Sequence, residues 1–477
     1  MAHSSLSGTA QAWAALGGDP ALLGRVRYEG TGGLPAALPV MELARSTVAV
    51  CALAAAELAA RRTGGPVPSV RVDDGAVTAA FLSDRLVRVD GEAPTTFAPL
   101  SRFWRAADGW VRTHANYPHH RARLRSSLGL PDDAGVEDVA AVIGACRAAE
   151  VEERVYAAGG LAVAARGPKE WAAHEQGALA AAHPLLTMER LGQEHPPRVL
   201  PRPAGEPLLP CAGLRVLDLT RVLAGPVATR TLALLGADVL RIDAPQLPES
   251  QEAHNDTGMG KRSTRLDLGS GAGRAAFEEL LAEADVVVTA YRPGALDRFG
   301  LTPEALAARR PGLVVARLSA WGRYGPWHQR RGFDSLVQVA TGIAAVEGGA
   351  EQPGALPAQA LDHGTGYLLA AGVLRALTGQ HDEGGARLVQ LALSQTAAWL
   401  VNGLGTADPA REAGAREAVA REAAQEAGAY DPEPWLIETD SPMGRLRHAL
   451  PAVSFDGGPA NWARPSGIWG TDTPVWA

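Results

Sequence analysis

One aspartate, Asp362, stands in a sequence context that suits a chemical role. It lies in LDHGTGYLL, directly before an apolar run that predicts a helix. An Asp at such a point is typical of a helix N-cap or an Asx turn. The position also suits a nucleophile, because a helix dipole stabilises a carboxylate and an Asp pKa of about 3.9 leaves it ionised at neutral pH. An oriented carboxylate can attack an activated carbonyl carbon.

Two glycines follow this aspartate. Gly364 and Gly366 are expected to leave room for a bulky substrate beside the backbone, whose N–H groups could stabilise an oxyanion. Three histidines in THANYPHHR, His114, His119 and His120, match no zinc-ligand spacing and have no cysteine beside them. No metal site is therefore expected.

Composition and motif absences exclude several classes of protein. A net charge of −7 over 477 residues argues against nucleic acid as a partner. The N-terminus lacks the pattern of a signal peptide and no charge-free apolar run of membrane length occurs, which predicts a cytoplasmic protein with no membrane partner. Neither GxxxxGK[ST] nor GxGxxG is present, so a P-loop phosphotransferase and a dinucleotide oxidoreductase are not expected.

The elements that must position Asp362 alternate strand and helix from about residue 213. Strands are predicted at 214–219, 237–243, 284–291 and 313–319, with helices near 227–235 and 271–283 between them. This alternation predicts a doubly wound, Rossmann-like parallel sheet.

The first 200 residues have a different pattern. An Ala-rich helix is predicted over 40–62, a small α+β domain over 91–194, and a Pro-rich linker over 195–210. The large domain then occupies 211–405. A helix and an irregular tail fill 406–477.

A weak internal repeat relates the two ends of the chain. Segment 40–81 resembles 360–399 at an offset of 320 (362 − 42), which places Glu42 opposite Asp362. Chance similarity between two Ala-rich helices that each precede a Gly turn and a strand remains the alternative. On the first interpretation, 1–90 is a degenerate partial copy of the large-domain segment, and Glu42 is not expected to be catalytic because VMELARS lacks the glycine pair.

Six ordered motifs carry a family resemblance. LRVLDLTRVLAGPVATRTLALLGADVLRIDAP, GKRSTRLDL, YRPGALDRFGL, LSAWGRYGPW, GFDSLVQVATG and PAQALDHGTGYLLAAGVLRAL together resemble the class III (CaiB/BaiF) coenzyme A transferases, of the formyl-CoA and carnitine CoA-transferase type. The small-domain segments 105–124 and 157–176 also resemble this family. Their order differs, since here they precede the large domain instead of following it.

The resemblance implies a function and a site. It makes Asp362 the nucleophile that transfers coenzyme A between an acyl-CoA and a carboxylic acid, through aspartyl anhydride and aspartyl-CoA intermediates, with no permanent cofactor. It implies a homodimer as well. The residues expected near CoA are Arg221, Val222, Ala224, Arg262, Tyr291, Arg298 and His363.

Three alternatives stay open. A racemase-like acyl-CoA isomerase of the same fold uses a histidine where this chain has Phe333, although His363 could substitute for it. An intramolecular CoA-transferring isomerase has no distinguishing sequence feature. A non-catalytic CoA-binding protein would be consistent with the degenerate first copy, but an intact Asp362 argues against it.

Overall fold

The computed structural model describes residues 7–192, 195–348, 351–404 and 430–477. The N-terminal region forms helices where Ala-rich runs predict them, and the long helix matches its predicted start. Its elements are α1 (Gly8–Ala15), β1 (Val26–Glu29), α2 (Val40–Thr63), β2 (Val70–Asp73), α3 (Asp74–Phe81), α4 (Ser83–Leu86) and β3 (Arg88–Val89).

The small domain is an antiparallel sheet of β4, β5 and β6 with helices packed on it. Apolar side chains such as Trp104, Val111 and Ile143 form its own core. The elements of this region are β4 (Phe103–Ala106), β5 (Gly109–Thr113), α5 (Pro118–Leu128), α6 (Val136–Gly144), α7 (Ala148–Ala157), β6 (Ala162–Ala164), α8 (Pro168–Ala173), α9 (Glu175–Ala182) and β7 (Leu186–Leu191).

The large domain alternates strands and helices as predicted, after a linker whose described part, 195–210, has no helix or strand. Its elements are β8 (Arg215–Leu219), α10 (Ala224–Leu234), β9 (Asp238–Asp243), α11 (Gln251–Thr257), β10 (Arg262–Arg265), α12 (Gly271–Glu283), β11 (Val286–Thr289), α13 (Pro303–Arg309), β12 (Val314–Ser319), α14 (Asp334–Ala340), α15 (Ile343–Gly348), α16 (Ala360–Glu383), β13 (Ala386–Ala392) and α17 (Leu393–Ala398).

Seven strands form the main sheet, in the order β10-β9-β8-β11-β12-β13-β7. The first six run parallel, which confirms the predicted α/β class with a doubly wound parallel sheet. The seventh, β7, runs antiparallel to β13. This strand was predicted to belong to the small domain, but its backbone completes the edge of the large sheet.

The N-terminal segment is part of the main core. Helix α2 packs along α16, the most extensive helix–helix contact in the described part of the chain. By length and composition α2 is apolar enough to cross a membrane, with mean hydropathy 1.5, yet 94% of that window is buried inside the protein. It is therefore the central helix of a core.

The C-terminal segment differs from its prediction. The predicted helix of 406–429 lies outside the described residues. Residues predicted to be irregular instead form a hairpin of β14 (Leu436–Ser441) and β15 (Gly444–Ala449), on which β3 pairs as a third strand. The rest of the tail, from 450 to 477, has no helix or regular strand.

Candidate active site

A cavity of about 950 Å³ opens at the carboxyl ends of the parallel strands. Strands β8 and β11 are neighbours, but the chain leaves them toward opposite edges of the sheet. Open α/β sheets bind ligands at this topological switch point. The strand-end residues of the cavity wall include Leu219, Arg221, Val222, Ile242, Ala244, Leu266, Asp267, Ala290, Tyr291, Leu318, Ser319 and Leu393.

Asp362 lines this cavity from the first turn of α16. Its residue surface is only 7% exposed, and no described residue donates a hydrogen bond to its carboxyl group. Burial, followed by the negative charges of Asp334 and Asp84, raises the pKa of Asp362 well above its usual range. The expectation of an ordinary carboxyl pKa is therefore wrong, because the sequence does not show which acids fold beside it.

The two glycines near Asp362 make room for protein, not for a substrate. A Cβ atom at Gly366 would lie 2.6 Å from the Ala224 carbonyl oxygen, so this glycine lets α10 approach α16 closely. A Cβ atom at Gly364 would lie 3.5 Å from the Leu43 side chain of α2. Neither glycine lines the cavity.

Five of the seven residues predicted near CoA do line the cavity: Arg221, Val222, Ala224, Tyr291 and Arg298. Val222 has a φ of 69°, which is rare for a β-branched residue and costs on the order of 1–3 kcal/mol. Such strain concentrates at functional sites. The loop that joins β8 to α10 thus carries two of the predicted residues, Arg221 and the strained Val222, and Ala224 begins α10.

The other two predicted residues lie elsewhere. Arg262 is on β10 and forms an ion pair with Asp238 at 2.8 Å, outside the cavity wall. His363 is fully buried, with its ring stacked on Phe81 and its Nε2 3.6 Å from Asp84. Neither side chain can contact a ligand in the cavity as it stands. His363 therefore lies outside the wall of the cavity that Asp362 lines.

The small domain supplies another part of the cavity wall. Tyr117, His119 and His120 line the cavity from the start of α5. Burial, with nearby histidine and arginine groups, lowers the pKa of His120 to about 2. The ring of Phe333 stacks on His114 at 3.6 Å between centroids. The sequence could not reveal these contacts, since they join segments about 200 residues apart.

Arginine dominates the charge of the cavity wall. Arg221 forms an ion pair with Glu249, and Arg330 with Glu152 and Glu153. Three further arginines in the wall, Arg292, Arg298 and Arg331, have no carboxylate partner among the described residues. Unpaired guanidinium groups suit the phosphates of an anionic ligand. Arg292 and Arg331 were not singled out from the sequence, because arginine is abundant throughout this chain.

Residues 211–432 match the model of CoA-transferase family III. These residues belong to that family. The match covers the predicted large domain with its Asp362 loop, and it confirms the resemblance that the six motifs carried.

Several curated relatives resemble the same part of the chain. The acetyl-coenzyme A transferase nodX of Hypoxylon pulicicidum is 35% identical over 215 residues, which are 44% of this chain and 36% of that protein. The probable fatty acyl-CoA transferase Rv3272 of Mycobacterium tuberculosis is 34% identical over 42% of this chain and 54% of its own length. The formyl-CoA:oxalate CoA-transferase of Streptomyces coelicolor is 34% identical over 38% and 47%. The chain spans about half or less of the length of these relatives.

Solved structures give a similar partial match. A crystal structure of Rv3272 from M. tuberculosis has a TM-score of 0.39 and 36% identity, over 41% of this chain and 56% of that one. A CAIB/BAIF family protein from Brucella suis has a TM-score of 0.44 and 21% identity, over 55% and 96%. The family III assignment of residues 211–432 therefore depends on sequence and motifs.

Proposed function

We propose that this protein is a CoA-transferase that moves coenzyme A from an acyl-CoA to a carboxylic acid, with Asp362 as its nucleophile. The observation that carries the proposal is the position of Asp362: it opens α16 at the wall of the cavity, within the family III segment. The relatives described above are also named for the transfer of CoA or acyl-CoA groups.

The reaction begins when a carboxylate oxygen of Asp362 attacks the thioester carbonyl carbon. The C–S bond breaks, and an aspartyl anhydride and a CoA thiolate form. The thiolate attacks the aspartyl carbonyl, which gives aspartyl-CoA and releases the donor acid. The acceptor carboxylate then attacks the carbonyl carbon of aspartyl-CoA, whose C–S bond breaks to give a second anhydride and the CoA thiolate. The thiolate attacks the acceptor's carbonyl carbon in this anhydride, which forms the new acyl-CoA and regenerates the Asp362 carboxylate.

The cavity provides groups for binding and for oxyanion stabilisation. The start of α10 faces the cavity through Leu223, Ala224 and Gly225, and no side chain caps it. The first N–H groups of a helix have no partner inside that helix, so they can donate to an oxyanion or a phosphate. Arg292 and Arg298 would bind phosphate groups of CoA. The N–H of Asp362 is already donated to Asp334, and it is not available.

A direct test is intact-mass spectrometry of the protein incubated with a panel of acyl-CoAs. We expect a covalent CoA adduct with a suitable donor, and peptide mapping should place it at Asp362. The matched control is Asp362→Asn, which keeps the size of the side chain and removes the nucleophile. An adduct that persists in this variant, or transfer without any dependence on Asp362, would contradict the proposal.

A second candidate is an acyl-CoA isomerase that moves the proton alpha to the thioester. The observation in its favour is that His119 and His120 line the same cavity as Asp362 and could act as the second proton-transfer group. We expect no deuterium at the alpha carbon of a 2-methylacyl-CoA incubated with the protein in heavy water. Deuteration that is lost in His119→Ala or His120→Ala would favour the isomerase.

A further inference from the structure

A second carboxylate holds the backbone of the nucleophile. Asp334 is fully buried at the start of α14, and its Oδ2 accepts a hydrogen bond from the Asp362 N–H at 2.9 Å. The backbone of Leu361 also donates to it. Helix α16 has no side-chain cap of its own, because Gln359 at its N-cap position makes no such bond. Asp334 therefore caps α16 from a different helix.

We propose that Asp334 is a positioning residue of the transfer reaction. It fixes the backbone of Asp362 through this hydrogen bond, and it controls the protonation of the Asp362 carboxyl through its own negative charge. This inference rests on the proposed function of Asp362 as nucleophile.

The hydrogen bonds around Asp334 fix its orientation. Its Oδ1 accepts a hydrogen bond from Gln338 Nε2, one turn further along α14. The oxygen of the same amide accepts a hydrogen bond from the Leu356 N–H at 2.9 Å, in the segment that leads into α16. These hydrogen bonds thus link α14 both to the segment that precedes α16 and to the first turn of α16. A nucleophile held in this way loses little orientation entropy before it attacks.

The charges that act on the Asp362 carboxyl are negative. Asp334 on α14 and Asp84 on α4 both act on it, and His363 on α16 lies beside Asp84. No described cation forms an ion pair with Asp334 or Asp362. Burial raises the pKa of Asp334 to about 6, although the hydrogen bonds that it accepts favour its anion, whereas Asp362 accepts no hydrogen bond that would offset its burial. Asp362 is therefore the carboxyl that retains the proton, and it must lose that proton before it attacks.

The test compares pH profiles of transfer by the full-length protein and by Asp334→Asn. The amide can still accept the Asp362 N–H, but it carries no charge. We expect the acidic limb of the kcat profile to move to lower pH by at least about one unit, with little change in KM. Asp334→Ser, which also keeps an uncharged acceptor, is the second variant should the asparagine protein not fold.

The matched control is Asp285→Asn. Asp285 is also buried and accepts a backbone hydrogen bond, from the Arg215 N–H at 2.8 Å, but it precedes β11 at the opposite end of the strand from the cavity. This variant should leave the acidic limb in place. An unchanged limb in Asp334→Asn, or a kcat that falls equally at every pH, would overturn the proposal and leave Asp334 with a structural role only.

A measurement without turnover separates this inference from the proposed function. A water-soluble carbodiimide modifies protonated carboxyl groups, and peptide mapping gives the labelling of Asp362 as a function of pH. We expect labelling to persist to higher pH in the wild type than in Asp334→Asn. If no acyl-CoA is transferred but this difference appears, the transferase proposal fails and the coupling stands. If acyl-CoA is transferred but the two labelling curves are identical, the transferase proposal stands and the coupling between Asp334 and Asp362 fails.

Discussion

Helices α2 and α16 are two versions of one element. Each has 24 residues, each begins after a residue with φ near −75° and ψ near 60°, and each is followed by a strand and a short helix. Glu42 and Asp362 occupy the third position of their helices, as the offset of 320 predicts. Shared local geometry at that offset supports the repeat that the sequence suggested.

The two helices differ in what their third residue does. Glu42 accepts hydrogen bonds from the Gly8 N–H and from Ser46, and it lies 3.7 Å from Arg45. Asp362 accepts none and faces the cavity. Glu42 is thus tied to its neighbours by hydrogen bonds, whereas the Asp362 carboxyl is left open to the cavity. The two helices also differ in glycine content. At the four positions where α16 has glycine, α2 has alanine or serine: Gly364, Gly366, Gly372 and Gly379 correspond to Ala44, Ser46, Ala52 and Ala59.

The largest expected difference is in catalysis. Asp362→Asn should lower transfer by about 1000-fold or more, because an amide is not a usable nucleophile. Glu42→Gln should leave the rate within about twofold, since the amide oxygen can still accept the Gly8 N–H. The measurement is steady-state transfer with a donor identified by mass spectrometry. A large loss of turnover in a folded Glu42→Gln protein would instead indicate two working sites per chain.

The next effect is on packing between α10 and α16. Gly366→Ala should destabilise the protein by roughly 1–3 kcal/mol, because its Cβ would meet a backbone oxygen at 2.6 Å and Val227 at 2.9 Å. Chemical denaturation with a constant m-value measures this change. The comparison is the reverse change at the corresponding position of α2, Ser46→Gly. The fold accommodates a side chain at that position, so no close approach of backbones requires a glycine there. A Gly366→Ala protein as stable as the wild type would contradict the close approach of α10.

The raised pKa of Asp362 predicts a pH-dependent stability difference. A carboxyl group whose pKa is higher in the folded than in the unfolded protein stabilises the fold at pH values below its unfolded-state pKa. That contribution is lost as the pH rises through its folded-state pKa. Asp362→Asn removes this loss. It should raise the free energy of unfolding, and with it Tm, at neutral to alkaline pH, by about 1.4 kcal/mol of free energy for each unit of pKa elevation, with no gain below about pH 4. Thermal melts of both proteins across this range test the sign.

The smallest effect is a gain in stability. A Cβ atom at Gly364 would meet Leu43 at 3.5 Å, an ordinary van der Waals distance. Gly364→Ala should therefore stabilise the protein by up to about 1 kcal/mol through helix propensity. Ala44, its counterpart in α2, is the reference, since Ala44→Gly should destabilise by a similar amount. Loss of stability in Gly364→Ala would show that Leu43 cannot adjust.

Periodic segments could be predicted from the sequence, and contacts between distant segments could not. The predicted helix 271–283 matches α12 at both ends, because its polar and apolar residues alternate with a helical period. Strand β7 was assigned to the wrong domain, since its hydrogen bonds go to β13, about 200 residues further on. Arg262 was placed near CoA, yet it pairs with Asp238 on the next strand.

In the site, too, local motifs could be identified from the sequence, whereas contacts between distant segments could not. Asp362 and five of the residues predicted near CoA were identified from local motifs. Asp334 and Asp84 were not, although they dominate the charge around Asp362, because their proximity depends on how α4, α14 and α16 pack together. The proposed homodimer stays a prediction.

The placement of the small domain has a kinetic consequence. Tyr117 and His120 line the same cavity as Asp362, and all three belong to one chain. A site assembled between separate chains falls apart on dilution, whereas a tethered partner keeps a fixed effective concentration. The site of this protein does not require a second molecule to supply these two side chains. Dilution should therefore not separate these two side chains from Asp362.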